Sequence, residues 1–213
     1  MIPDSSPPII TIDGPAGAGK STVARIVARR LDLRFLDTGA MYRAIALKAR
    51  RLGVADPHAI AEMAGRTCME IGDRVRLDGE DVSEEIRRPE ITAAVKPIAD
   101  SPECRAQLVR LQREAGKDGG LVTEGRDQGS VVFPDATLKI YLDADLAVRA
   151  RRRHAESGGD LADIEKSIAR RDAEDRSRPV GALVRPGGSI AIDSSGLTVE
   201  EVVARILAAL QGR

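Results

Sequence analysis

The stretch Gly14-Pro15-Ala16-Gly17-Ala18-Gly19-Lys20-Ser21-Thr22 follows the apolar run Pro8-Ile9-Ile10-Thr11-Ile12 and precedes an amphipathic run from Val23 to Leu31. That order reads as strand, glycine-rich turn and helix, and the spacing G-x-x-x-x-G-K-S is that of a P-loop. Glycines let the backbone curl so that several N–H groups point inward, and the following helix adds its own free N–H groups and the positive end of its dipole. Lys20 supplies a mobile ammonium for the outer phosphates and Ser21 a hydroxyl for Mg²⁺. The loop therefore points to a nucleoside triphosphate, held by Gly14 through Thr22, and leaves open what receives a phosphate.

A P-loop needs a strand behind it and a helix in front, and the rest of the chain repeats that alternation. Behind a polar start at Met1 to Ser6, strands are expected at Pro8–Asp13, Leu33–Leu36, Leu121–Thr123, Thr137–Leu142 and Ser189–Ile192. Helices are expected at Lys20–Leu31, from Thr38 (as its cap) to Leu52, Asp56–Arg66, Glu90–Ala99, Pro102–Ala115, Leu146–Glu156, Leu161–Glu174 and Val199–Leu210. The last carries Val199, Val202, Val203, Ile206, Leu207 and Leu210 on one face, the stripe of a helix packed on a core. Five strands alternating with helices predict an α/β fold with a parallel sheet. Between them, Thr67–Ile71, Arg74–Leu77 and Glu80–Ser83 are short runs separated by Gly72-Asp73 and Asp78-Gly79. Such pairs are hairpin signals and predict a small antiparallel insert.

Composition narrows the function classes. Formal net charge is zero, with 33 basic and 33 acidic residues, so no global field favours nucleic acid or an anionic membrane. Aromatic residues make up 2% and Trp is absent, which argues against stacking platforms for single strands and for an aliphatic core. Cys68, Cys104, His58 and His154 stand apart, without metal-ligand spacing. Neither a signal peptide nor an apolar run of membrane-spanning length is visible. The expectation is a cytoplasmic, monomeric protein acting on small molecules, with neither nucleic acid nor membrane as partner. Most of the arginines fit a coding bias toward Arg, so position must single out the functional ones.

Ligands of open α/β sheets sit at the carboxyl ends of the strands. There this sequence places the P-loop, then Asp37-Thr38 with Tyr42 and Arg43 a helical turn on, then Arg126 and Asp127. A hydroxyl, an aromatic ring and two arginines suit an acceptor that carries its own phosphate. Arg171, Asp175 and Arg178 stand at i, i+4 and i+7, a cation–anion–cation row if the helix continues through them. The arginines at 149–153 read first as part of a solvated, salt-bridged helical hairpin, and with the break at Ser157-Gly158-Gly159 they also suit a mobile lid. Either Glu124 or Asp127 could stand beside the metal.

Taken together, Gly14–Thr22, Asp37-Thr-Gly-Ala-Met-Tyr-Arg43, Glu124-Gly-Arg-Asp127 with Gly129-Ser-Val-Val-Phe-Pro-Asp-Ala136, and Arg171-Asp172-x-x-Asp175-x-x-Arg178 closely resemble bacterial cytidylate kinases, from about Ile9 to Ile206. The resemblance implies a three-layer P-loop fold with a five-stranded parallel sheet. It also implies transfer of the ATP γ-phosphate to CMP or dCMP with Mg²⁺. It implies one chain with a core at 7–55 and 119–213, a lid at about 153–163 and a monophosphate-binding insert at 56–118. Carried over by position, Thr38, Tyr42, Arg43, Arg105, Arg126, Asp127, Arg171, Asp175 and Arg178 hold the monophosphate. Arg43 and Arg126 take its phosphate, Arg105 and Asp127 face the cytosine, and Arg171 and Asp175 reach the sugar. Lys20, Arg126, Asp127, Arg149 and Arg153 form the catalytic set, the last two on the lid side. Lys96 stands where similar sequences often carry a serine near the base, and a lysine cannot accept a hydrogen bond from a cytosine amino group. Gln128 and Ala182 are lesser departures. A P-loop kinase for another small acceptor, shikimate-like or a different nucleotide, shares the loop and lid but not the row at 171–178. A guanine-nucleotide switch would carry an N-K-x-D reader, which is absent from this sequence.

Overall fold

The computed structural model describes residues 7–212, and the frayed start expected at 1–6 lies outside them. The chain divides into two compact units, one formed by the described residues up to Arg34 together with those from Gly119 onward, the other by Phe35–Asp118.

The expected parallel sheet is present, in strand order β2-β6-β1-β7-β8. Its strands are β1 (Ile9–Asp13), β2 (Arg34–Asp37), β6 (Leu121–Gly125), β7 (Leu138–Asp143) and β8 (Ile190–Asp193). At its centre β1 runs parallel to β6, in register from Ile9↔Leu121 to Asp13↔Gly125, and parallel to β7 on its other side. β7 in turn pairs in parallel with β8. Ile10, Ile12, Val122, Leu138, Ile140 and Leu142 are completely or almost completely buried, as strands covered on both faces require. Helices α1 (Lys20–Arg30) and α9 (Val199–Gln211) pack against each other, α1 also on β1 and β6, α9 on β7. Thr198 and Glu201 close the start of α9 with a capping box, and the stripe read from the sequence faces inward at Val202, Val203 and Ile206. The hairpin of α7 (Leu146–Ser157) and α8 (Leu161–Ser177) is joined through Gly158 and Gly159, both at positive φ.

β6 continues two residues past the expected Thr123, carrying Glu124 inside the strand. Beyond it the chain makes a single π turn, Gln128–Val132, which no sequence period announces. α8 ends at Ser177, and Arg178 already has extended backbone (ψ 134). The expected row of three on one helical face is therefore two helical residues and a C-cap.

The second unit begins with α2 (Thr38–Leu52), which stops at Gly53 in the left-handed conformation. It continues through α3 (Pro57–Gly65) to the antiparallel sheet of β3 (Met69–Ile71), β4 (Val75–Leu77) and β5 (Glu80–Asp81). A 3₁₀ turn at Glu85–Arg87 and helices α4 (Pro89–Ala93), α5 (Val95–Asp100) and α6 (Pro102–Gly116) complete it. α2 packs on α3, α4, α5, α6, β3 and β4, which is why this unit starts at Phe35 rather than near residue 56. Arg51 of α2 adds ion pairs to Glu80 and Glu85. The single helix expected at 90–99 is two, because Pro97 has no N–H to give the carbonyl of Ala93, and the chain turns at Ala94.

Gly14 shows why the P-loop begins with glycine. Its φ is 151°, and a Cβ there would lie 1.9 Å from the Leu142 carbonyl oxygen of β7. Gly19 also has positive φ, 89°, but nothing lies within 4 Å of its would-be Cβ. Gly19→Ala should therefore cost only the backbone penalty, roughly 1–2 kcal/mol. Gly14→Ala adds a clash with a central strand and should cost about 4 kcal/mol or more. Urea unfolding of the two variants checks this; equal losses would show that β7 yields to the added methyl.

Candidate active site

In the P-loop unit the site is built on the ends of β1 and β6. α1 begins at Lys20 with Gly19 as N-cap, and no side chain caps its first N–H groups. Those donors and the dipole's positive end favour an anion at this point. Lys20 is buried, and its ammonium donates to the Pro15 carbonyl at 2.8 Å. A carbonyl offsets little of a full charge. Burial, with Arg126 and Arg171 nearby, pulls the Lys20 pKa down to about 7 against the opposing pull of Glu124 and Asp13. The Ser21 hydroxyl donates to Glu124 Oε1 at 2.7 Å, so of the two acidic residues left open by the sequence, Glu124 is the one bonded to the P-loop serine.

Asp13, which sequence reading passed over, ends β1 completely buried. Its two oxygens accept the backbone N–H groups of Gln128 and Gly129 at 2.8 and 2.7 Å. Burial raises its pKa to about 7, with Asp127 adding to the rise and the two N–H bonds and Lys20 opposing it. The signal was an ionisable residue closing an apolar strand. Asp127 is itself buried, and its carbonyl accepts the N–H groups of Val131 and Val132, which closes the π turn.

Arg126 Nε donates to Asp175 Oδ2 at 2.6 Å, and Arg178 Nη2 stands 2.7 Å from Asp175 Oδ1. Burial alone would raise the Asp175 pKa, but these two guanidiniums outweigh it and hold the carboxyl below its ordinary value. Arg171 is exposed on the same helix. Arg149 is buried: its Nε donates to the Ala144 carbonyl at 2.8 Å, and its Nη1 to the Ala16 carbonyl at 2.9 Å and Asp172 Oδ2 at 2.6 Å. Arg153 is exposed, beside Glu156 at 3.4 Å. The two lid-side arginines grouped by the sequence thus occupy opposite environments.

In the second unit, Asp37 rather than Thr38 caps α2, accepting the Ala40 N–H at 2.7 Å. Its other oxygen takes Arg43 Nη2 at 3.3 Å, so one carboxylate sets both the helix start and the arginine's direction. Thr38 is buried as the first helical residue. The guanidinium of the buried Arg105 lies 5.9 Å from the centre of the Tyr42 ring, within cation–π reach. Lys96 is exposed on α5, its ammonium 2.7 Å from Asp100 one turn on.

Comparison with known proteins shows the family of the chain. The family model described as cytidylate kinase matches residues 10–212. A cytidylate kinase of Symbiobacterium thermophilum is 50% identical, the match covering 93% of this chain and 94% of that one. One of Desulfitobacterium hafniense is 47% identical over 93% and 90%. Among solved structures, TT1252 of Thermus thermophilus superposes with a TM-score of 0.53 at 21% identity, covering 98% of both chains. The shikimate kinase of Acinetobacter baumannii superposes at 0.52 and 16%, covering 97% and 94%; at such identities the likeness concerns the fold. A family match over nearly the whole chain, with curated relatives at about half identity, shows that the chain belongs to the cytidylate kinase family.

Proposed function

We propose that this chain transfers the γ-phosphoryl group of ATP to CMP and dCMP, releasing ADP and CDP or dCDP, as a monomer in the cytoplasm. One observation carries the reading beyond family membership. Burial, together with the charges of Arg126 and Arg171, depresses the pKa of Lys20. Cationic side chains gathered in this way suit phosphates. Phosphoryl transfer asks a protein for positioning and neutralisation rather than covalent chemistry, and this cluster supplies both.

The donor lies along Gly14–Thr22, with Lys20 on its outer phosphates. The Ser21 hydroxyl and Glu124 carboxylate are hard oxygen donors of the kind Mg²⁺ takes, alongside phosphate oxygens. When bound, that ion neutralises charge on the transferring group. For the acceptor, Arg43 and Arg126 take the phosphate, Arg105 and Asp127 face the cytosine, and Arg171 and Asp175 reach the sugar, with Thr38, Tyr42 and Arg178 completing the contacts. Arg153 serves from the lid side. Lys96 is held by Asp100, which leaves reading of the base to Arg105 and Asp127.

Removing Arg126 deletes charge-assisted hydrogen bonds worth about 1.5–3 kcal/mol each. Arg126→Ala should lower kcat/KM for CMP about 10²–10³-fold while ATP still binds, measured by coupled ADP release and by calorimetry. Wild-type turnover in that variant would sink the assignment. A panel of CMP, dCMP, UMP, AMP and shikimate tests the acceptor itself; equal rates across the panel would overturn the choice of cytidine nucleotides.

The depressed lysine gives a second test. In the free protein Lys20 is largely neutral at pH 8, one unit above its pKa of about 7. A triphosphate favours the ammonium and raises that pKa, so binding at pH 8 should take up close to one proton. At pH 6 the lysine is already charged and uptake should be near zero. Calorimetry of ATP binding at each pH, in two buffers that hold that pH and differ in ionisation heat, measures the uptake from the difference in heat; at pH 8 it should vanish in Lys20→Met, and buffer-independent heats there in the wild type would contradict the mechanism.

A further inference from the structure

Residue 16 of the P-loop has an unusual pair of partners. Its carbonyl accepts Arg149 Nη1 at 2.9 Å, and its N–H donates to Asp172 Oδ1 at 3.3 Å. Arg149 and Asp172 are also bonded to each other at 2.6 Å, and both are buried. One ion pair therefore holds both backbone groups of a single loop residue. The contact is close because Gly17 lacks a side chain: a Cβ there would lie 3.2 Å from Arg149 Cβ. Arg149 Nε is anchored in turn on the Ala144 carbonyl at the exit of β7. The pair joins α7, α8, β7 and the P-loop at one point.

Three residues on, and so on the same face of α8, Asp175 binds Arg126 at the exit of β6. Three residues of helix advance about 4.5 Å. Neighbouring strands are about 4.8 Å apart. β1 and β6 are such neighbours, with Asp13 opposite Gly125. One turn of α8 thus spans two adjacent strand ends. Its first carboxylate grips the loop after β1, and its second grips the residue after β6.

We propose that Asp172, through Arg149 and Ala16, is a positioning residue that ties the P-loop to α8, and that the Asp172–Asp175 turn couples nucleotide binding at the two loops. The proposal rests on the assignment of the donor to the P-loop and of the acceptor phosphate to Arg126. In the free protein Asp175 neutralises Arg126. An acceptor phosphate competes for that guanidinium and frees α8 to move. Any movement of α8 either carries Ala16 with it or leaves Arg149 buried without its counter-ion. The loop that receives ATP then responds to the acceptor, and by linkage the acceptor site responds to ATP by the same factor.

The test is a binding square on the full chain with Mg²⁺. The dissociation constant of CMP is measured by calorimetry with and without saturating β,γ-imido-ATP, and that of the analogue with and without CMP. The wild type should show a coupling factor of about fivefold or more, equal from either side. Asp172→Asn keeps the shape and an acceptor for Ala16 N–H but removes the charge facing Arg149, and should bring the factor within about twofold of unity. If that variant does not fold, Arg149→Lys keeps the charge without the fork that reaches both Ala16 and Ala144, and should do the same. A merely structural pair would lower the melting temperature or weaken both ligands and leave the factor intact, which overturns the proposal; so does a wild type that binds both ligands without coupling. A wild type that binds no CMP overturns the acceptor assignment and this coupling with it, whereas CMP turnover with coupling unmoved by Asp172→Asn overturns the coupling alone.

Discussion

A buried ammonium whose charge two guanidiniums oppose is the interaction on which the P-loop unit turns. Lys20 loses its hydration and donates to the Pro15 carbonyl, while Arg126 and Arg171 repel it. Glu124 and Asp13 pull the other way, and the balance still falls against the charged form. Removing a charge from water is expensive unless an opposite charge replaces the solvent. The missing negative charge is what nucleotide phosphates carry. A buried ammonium left in that balance costs stability, the kind of broken local rule expected at a functional site.

The same bookkeeping explains the acidic residues around the cluster. Asp175 sits between Arg126 and Arg178 and is held ionised by both. Asp13 accepts from two backbone N–H groups instead, and burial still raises its pKa to about 7. The two carboxylates therefore do different work. Asp175 links the guanidiniums of Arg126 and Arg178. Asp13 is a fixed acceptor that shapes the turn beginning at Gln128.

Much of this was legible in the sequence because its signals are local. The P-loop glycines, the strand–helix alternation, the hairpin pairs of the small antiparallel sheet and the stripe on α9 all depend on residues a few positions apart. The features that were missed depend on partners far along the chain. Asp37 and Thr38 both suit an N-cap, and Arg43 on the other side of Asp37 goes with the choice made. Asp172 looked like one acidic residue among many in a balanced helical hairpin until Ala16, 156 positions away, was placed beside it. The π turn exists where Asp13, 115 positions from Gln128, offers acceptors for two consecutive N–H groups. The break before α5 was different: Pro97, with no N–H for the Ala93 carbonyl, announced it within the segment itself.

Parallel strands end side by side, and that geometry makes one segment answer to two neighbours. The residues from Arg126 to Gly129 are held on the sheet side by Asp13, which ends β1 and cannot move without the central strand. They are held on the other side by Asp175, on a helix joined to its partner through two glycines at positive φ. One grip comes from the sheet and the other from a helix. That helix also reaches the P-loop through Asp172, so Arg126 and Ala16 are joined through α8 as well as through the strands.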